Sequence, residues 1–173
     1  MVSFQLLISE DKIREKLIDI AKVLDANYAD EELTIVVVMK GALCLAADLI
    51  RQLKIPLTIE FIKASSYGSR GTKRGELVIQ GIEDLQLASK NVLLIDDIYD
   101  SGTTLCCVEA KIREKDPKTL KSLVLLSKNV ARASTYIPNY VLFEIKNEFV
   151  VGYGLDYQEL YRGLRGIYTM ESL

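Results

Sequence analysis

Three aspartates, three aliphatic hydroxyls and one glycine crowd into Asp96-Asp97-Ile98-Tyr99-Asp100-Ser101-Gly102-Thr103-Thr104, directly behind the apolar run Val92-Leu93-Leu94-Ile95. A chain that leaves a buried strand in this way and turns into a helix suits an anion. Gly102 permits close backbone approach, amides point outward, hydroxyls donate, and the helix N-terminus favours negative charge. Asp96 and Asp97 beside that cradle could accept hydrogen bonds from vicinal hydroxyls, or hold a divalent cation through oxygen, as magnesium prefers. Phosphate cradle and hydroxyl-binding carboxylates together describe a site for a ribose 5-phosphate. The same residues also make an Asx-turn and a helix cap, and composition alone leans slightly to that plainer reading.

The elements that must position these residues are legible as an alternation. Ser9 caps a first helix whose Ile13, Leu17, Ile20, Ala21 and Leu24 recur at helical spacing. Strands follow at 33–39, 57–65, 91–95, 122–127, 140–145 and 149–152, with helices at 42–53 and from Thr103 to Lys115, and a polar stretch at 66–76. Continuous Val/Ile/Leu strands separated by helices predict a parallel sheet covered on both faces, with ligands at the carboxyl ends of strands, in the loops after Met39, Ile95 and Ser127. Asp96 and Asp97 are then expected just beyond a strand end, at the crevice edge and clear of the core.

At 173 residues and 49% apolar composition the chain supports one sizeable core, read as a single domain over 1–173. A net charge of -2, from 22 basic and 24 acidic residues without a basic block, argues against nucleic acid as the main partner. Cys44, Cys106 and Cys107 have no metal-knuckle spacing and no histidine to help them, so they are expected as small apolar residues packed on helices. The odd thiol count, an N-terminus without a basic-then-apolar leader, and the lack of an apolar run near the ~18 residues of a membrane span predict a soluble, cytoplasmic protein. Without histidine, a general base near neutral pH must be a carboxylate, lysine, tyrosine or cysteine.

The order of residues in 92–104 resembles the phosphoribosyl-diphosphate-binding motif of the type I phosphoribosyltransferases, a far more specific signal than an isolated glycine triplet. Four further stretches resemble the 6-oxopurine, or hypoxanthine-guanine, branch of that family, so the resemblance runs from about Ile8 to Ile167. It implies an α/β fold of the type I phosphoribosyltransferase kind, a parallel core sheet flanked by helices with a small hood from the N- and C-terminal segments. It implies 5-phosphoribosyl 1-diphosphate as substrate, with Ser101, Gly102, Thr103 and Thr104 on its 5-phosphate and Asp96 and Asp97 near its ribose hydroxyls.

"VMKGA" is similar to the family's diphosphate loop, which carries a non-proline cis peptide; Lys40 and Gly41 would hold the leaving diphosphate. "ASSYGS" resembles the lid that folds Ser66 and Tyr67 over the reaction centre, and its composition independently predicts an exposed, flexible segment. "LLSKNVAR" would place Lys128 on the purine 6-oxo group and Arg132 near the diphosphate. "NEFVVGYGLDYQELYR" would stack Phe149 on the purine, read the base edge with the backbone of Val150, bind diphosphate through Arg162, and help hold a second Mg2+ through Asp156. Asp96 and Asp97 would hold metal partly through substrate and water, and Asp100 would be the base at purine N7. Read one at a time, Lys40 and Lys128 are ordinary solvated lysines and Phe149-Val150-Val151 a short core strand.

The reaction implied is transfer to N9 of hypoxanthine or guanine, giving IMP or GMP and diphosphate, by a homodimer or homotetramer. Glu148 stands where many relatives have lysine, which leaves the choice between hypoxanthine and guanine open. Two rivals stay open: an enzyme for xanthine or a wider range of purines, and a regulator on the same fold that binds phosphoribosyl diphosphate as a signal and nucleic acid as a target, which would show a basic face.

Overall fold

Leu33-Thr34-Ile35-Val36-Val37-Val38-Met39 offers no face to solvent, and the chain makes it the middle of a sheet covered on both sides. The computed structural model describes residues 3–66, 77–131 and 136–171. In chain order these form β1 (Ser3–Ile8), α1 (Glu10–Asn27), β2 (Leu33–Met39), α2 (Leu43–Ile50), β3 (Leu57–Ser66), β4 (Leu77–Gln80), β5 (Asn91–Tyr99), α3 (Thr103–Arg113), β6 (Thr119–Lys128), β7 (Tyr140–Ile145), β8 (Val150–Val151) and β9 (Ile167–Glu171).

The main sheet runs β4-β3-β2-β5-β6-β7, parallel throughout except for the antiparallel pair β3 and β4. Side chains alternate across it: Ile35, Val37, Leu93 and Ile95 pack toward α1 and α2, while Val36, Val38, Val92 and Leu94 pack toward α3 and the 82–87 segment. α1 starts where expected, with the Ser9 hydroxyl accepting from the Lys12 amide, and it buries the expected Ile13, Leu17, Ile20, Ala21 and Leu24. The hood is a separate antiparallel sheet, β1-β9-β8, pairing Ser3 with Glu171 and Val150 with Thr169.

Several elements depart from the sequence reading. Strands β1, β4 and β9 had no expectation, α2 stops three residues short, and β5 continues four residues past Ile95. The cysteines also need correction. On α3 the buried stripe is Leu105, Val108, Glu109 and Ile112, so Cys106 and Cys107 fall on the opposite face and are exposed, and only Cys44 is half-buried. No helix among the described residues is long and apolar enough to cross a membrane.

Candidate active site

Parallel pairing brings three strand ends to one edge. Val37 of β2 lies opposite Ile95 of β5, and Tyr99 of β5 opposite Ser127 of β6, so Lys40-Gly41, the 100–104 loop and Lys128 leave the sheet side by side. The Met39–Lys40 peptide is cis, as the resemblance implied. Gly41 is pressed against β5, where a Cβ on it would overlap the Asp97 carboxyl group. Only glycine lets the loop after β2 lie this close to the aspartate pair.

Asp96 is not at a strand end. Strand β5 keeps its pairing with β6 through Asp96, Ile98 and Tyr99, so Asp96 is interior and only 5% exposed, with Asp97 half-buried beside it. The Asp97 amide donates to the Asp96 carboxylate at 2.9 Å, and the Ile98 amide donates to Asp97 at 2.8 Å. These bonds satisfy groups that the sequence reading placed in the open crevice. Desolvation is therefore real: burial, with the Asp97 charge adding to it, pushes the Asp96 carboxyl well above the usual aspartate range. Burial also raises Asp97, against hydrogen bonds from Asp96 and Ile98 and the nearby Arg162 charge. Carboxyl oxygens in this position can accept from neighbouring hydroxyls.

Beyond Tyr99 the chain turns through Gly102, whose φ of 81° is left-handed and where a Cβ would run into the Tyr99 ring. That turn opens α3 with no hydrogen bond from an N-cap side chain, and a helix N-terminus favours an anion. Ser101 Oγ accepts from the Thr103 amide at 3.4 Å and lies 3.1 Å from Thr103 Oγ1. At the end of β6 the Lys128 ammonium sits 3.4 Å from an oxygen of Asp100, with the lysine side chain 13% exposed and the aspartate 51%. Lys128 is no solvated surface lysine.

The segment after β8 folds back onto this edge. The Tyr153 hydroxyl donates to Asp48 of α2 at 2.7 Å, and burial together with Asp48 raises its pKa above the usual tyrosine value. Tyr157 and Leu160 exchange both backbone hydrogen bonds around Gln158 and Glu159, which take φ of 52° and 65° in a tight turn. Arg162 donates to the Gly154 carbonyl at 2.7 Å and pairs with Asp156 at 2.7 Å and Glu159 at 3.1 Å. Lys40 Nζ reaches the same Glu159 oxygen at 2.9 Å, and the Glu159 amide donates to Asp156 at 2.8 Å. On the hood side the half-exposed Phe149 ring meets Tyr157 edge-on, centroids 5.8 Å apart.

Residues 8–158 match the family model of the phosphoribosyl transferase domain. The chain belongs to the phosphoribosyltransferase family. It is similar to the hypoxanthine-guanine phosphoribosyltransferase of Aquifex aeolicus, 36% identical over 169 residues that cover 97% of this chain and 95% of that one. The enzyme of the same name from Bacillus subtilis is 38% identical over 92% of this chain and 89% of its own. A solved hypoxanthine-guanine phosphoribosyltransferase from Bacillus anthracis superposes with a TM-score of 0.90 at 36% identity, covering 99% of this chain and all of that one.

In this phosphoribosyltransferase the expected site residues fall into two groups. Lys40, Gly41, Asp96, Asp97, Asp100 to Thr104 and Lys128 share the sheet edge, with Asp156 and Arg162 joined to them through Glu159 and Lys40. Phe149 and Val150 lie in the hood, where Val150 is buried and paired with Thr169. Ala64, Ser65 and Ser66 end β3, while Tyr67 with the remainder of the polar stretch to residue 76, and Arg132, lie outside the described residues. Sequence reading missed Tyr157, Glu159 and the Tyr153–Asp48 bond, although all but Asp48 sit in the stretch it marked as specific.

Among the described residues no three or more Asp, Glu or Cys side chains cluster closely enough to hold a metal by themselves. Asp156 and the Asp96–Asp97 pair are hard oxygen donors, few in number. That set fits Mg2+, which keeps most of its coordination for waters and phosphate oxygens.

Proposed function

We propose that the chain transfers the 5-phosphoribosyl group of 5-phosphoribosyl 1-diphosphate to N9 of hypoxanthine or guanine, releasing IMP or GMP and diphosphate, as a cytoplasmic purine-salvage enzyme. A single domain over 1–173, working as a homodimer or homotetramer, belongs to the same reading. The observation that carries it is the Lys128–Asp100 pair, a donor and an acceptor 3.4 Å apart at adjacent strand ends. A 6-oxopurine presents O6 and N7 side by side on one edge. O6 only accepts, which suits the ammonium; N7, when it carries a proton, donates, which suits the carboxylate. A 6-aminopurine would turn a donor toward Lys128, which has no lone pair to offer.

The remaining residues serve the other half of the reaction. The amides and hydroxyls of Ser101 to Thr104 hold the 5-phosphate at the start of α3, and the Asp96–Asp97 pair takes the ribose hydroxyls. Phe149 stacks on the base, and the Val150 backbone reads its edge. Lys40 and Arg162, with Arg132, take up charge on the departing diphosphate; one well-aimed donor of this kind is commonly worth about 10^2 to 10^3 in rate. Mg2+, held through Asp156 and beside Asp96 and Asp97 by way of substrate and water, supplies further charge neutralisation. Asp100 accepts the N7 proton as N9 attacks the anomeric carbon. Ser66 and Tyr67, as a lid, keep water from a sugar that is losing its leaving group.

A continuous ultraviolet assay with phosphoribosyl diphosphate and Mg2+ against hypoxanthine, guanine, xanthine and adenine tests the reading. Turnover of hypoxanthine or guanine, with adenine inert, is expected. Tight phosphoribosyl diphosphate binding without turnover of any base would transfer the case to the sensor reading.

A further inference from the structure

We propose that Glu159 is a built-in stand-in for the diphosphate: its carboxylate occupies Lys40 and Arg162 in the unliganded protein and must yield them to the incoming substrate. The inference rests on the reading of those two cations as diphosphate donors. One Glu159 oxygen lies 2.9 Å from Lys40 Nζ and 3.1 Å from Arg162 Nη2, so a single anionic atom bridges two positive groups 122 residues apart in the chain, as a phosphate oxygen would.

The bridge is not needed to hold the two segments together. Gly41 and Gly154 already touch backbone to backbone, so closely that a Cβ on Gly154 would overlap the Gly41 carbonyl oxygen. Arg162 has its own anchors in the Gly154 carbonyl and in Asp156. Tyr153 fixes the start of the segment to Asp48 of α2.

What the local backbone does instead is aim the carboxylate. Gln158 and Glu159 both sit at left-handed φ, a conformation that glycine or asparagine adopts far more readily, and the Asp156 carboxylate fixes the tip by accepting the Glu159 amide. The Glu159 side chain is 65% exposed and that of Lys40 51%, so an anion from solution can reach the cations and exchange with the carboxylate. An exposed carboxylate is a weak competitor; a diphosphate with several charged oxygens displaces it. Glu159 thereby tempers affinity for the diphosphate group and covers the cations again when it leaves.

Isothermal titration at fixed excess Mg2+ tests this with phosphoribosyl diphosphate as probe and ribose 5-phosphate, which lacks the diphosphate, as control. Glu159→Gln, and Glu159→Ser as a second variant, are expected to bind phosphoribosyl diphosphate about 3- to 10-fold tighter, the range spanned by the loss of an exposed ion-pair competitor. Ribose 5-phosphate affinity stays at the wild-type value, and circular dichroism melting curves report that the fold is intact. Unchanged or weakened phosphoribosyl diphosphate binding in both variants would overturn the inference. So would equal tightening of both ligands, which would mark a general charge effect. If the wild-type protein itself fails to bind phosphoribosyl diphosphate, the reading of the site falls, and this inference with it.

Discussion

Replacing Gly41 with alanine puts a methyl group where the Asp97 carboxyl now lies, with the Asp97 Cβ also only 3.1 Å away. The methyl cannot be absorbed by a long flexible side chain, because Asp97 is short and half-buried in β5. Either Asp97 swings out or the loop after β2 lifts. The first loses the Ile98 amide bond of 2.8 Å, about 1 kcal/mol, and either adds an overpacking cost of about 1 to 3 kcal/mol. A destabilisation of about 1 to 4 kcal/mol follows, read as a lower urea midpoint at unchanged slope. On the proposed reading that movement takes Asp97 from the ribose hydroxyls or Lys40 from the diphosphate, so kcat/KM for phosphoribosyl diphosphate is expected to drop by about 10^2 or more, with base recognition by Lys128 spared. A shift below about 0.5 kcal/mol with unchanged kinetics, the range of ordinary surface changes, would refute the claim that contact with Asp97 is what demands glycine here.

Three other changes separate roles at the same edge. Asp100→Asn should retain phosphoribosyl diphosphate affinity and lose about 10^2 to 10^4 in kcat; near-normal turnover would remove it as the base. Lys128→Gln, whose amide both donates and accepts, should narrow the preference for hypoxanthine over adenine by about tenfold or more, measured as the ratio of kcat/KM values; an unchanged ratio would take Lys128 off the 6-oxo group. Tyr153→Phe should cost about 1 to 2 kcal/mol through the lost bond to Asp48, and it should change the alkaline limb of stability. Burial and Asp48 raise the Tyr153 phenol above its ordinary 10, so the folded chain keeps a proton that the unfolded chain releases. Stability is full below about pH 10 and falls as pH climbs beyond it. The variant should fall less steeply, with Tyr136, pushed up to about 12 by burial, supplying part of the remaining slope. Equal slopes in chemical denaturation at successive pH values would count against this account.

The core strands and α1 were legible because their patterns are local: a run such as 33–39, apolar but for Thr34, must be buried on both faces, and Ser9 before Glu10 and Asp11 marks a helix start wherever it occurs. β1 and β9 were not, because five of the six β1 residues are exposed and each strand exists only through a partner at the far end of the chain. β5 ran further than expected because two adjacent acids read as a strand end; hydrogen bonds from the Asp97 and Ile98 amides let the sheet carry them inside. In the candidate site, the family-like motifs singled out Asp100, Lys128 and Arg162, but single-residue patterns could not say that Lys128 faces Asp100. Glu159 was invisible for a similar reason: its partner Lys40 lies 119 residues away, and only the turn at 157–160 brings them together.

The hood has a temporal consequence. Its sheet joins β1 to β9, so the first strand made must wait for one of the last, whereas β2 to β7 can pair with one another once residue 145 has been synthesised. A nascent chain can thus form the sheet edge that carries Lys40, Asp100 and Lys128 before the segment with Asp156 and Arg162 and before the hood sheet that carries Val150 next to Phe149. On the proposed reading the 5-phosphate cradle is then in place before the groups that take the diphosphate and the purine, and pairing of β9 with β1 and β8 completes the site.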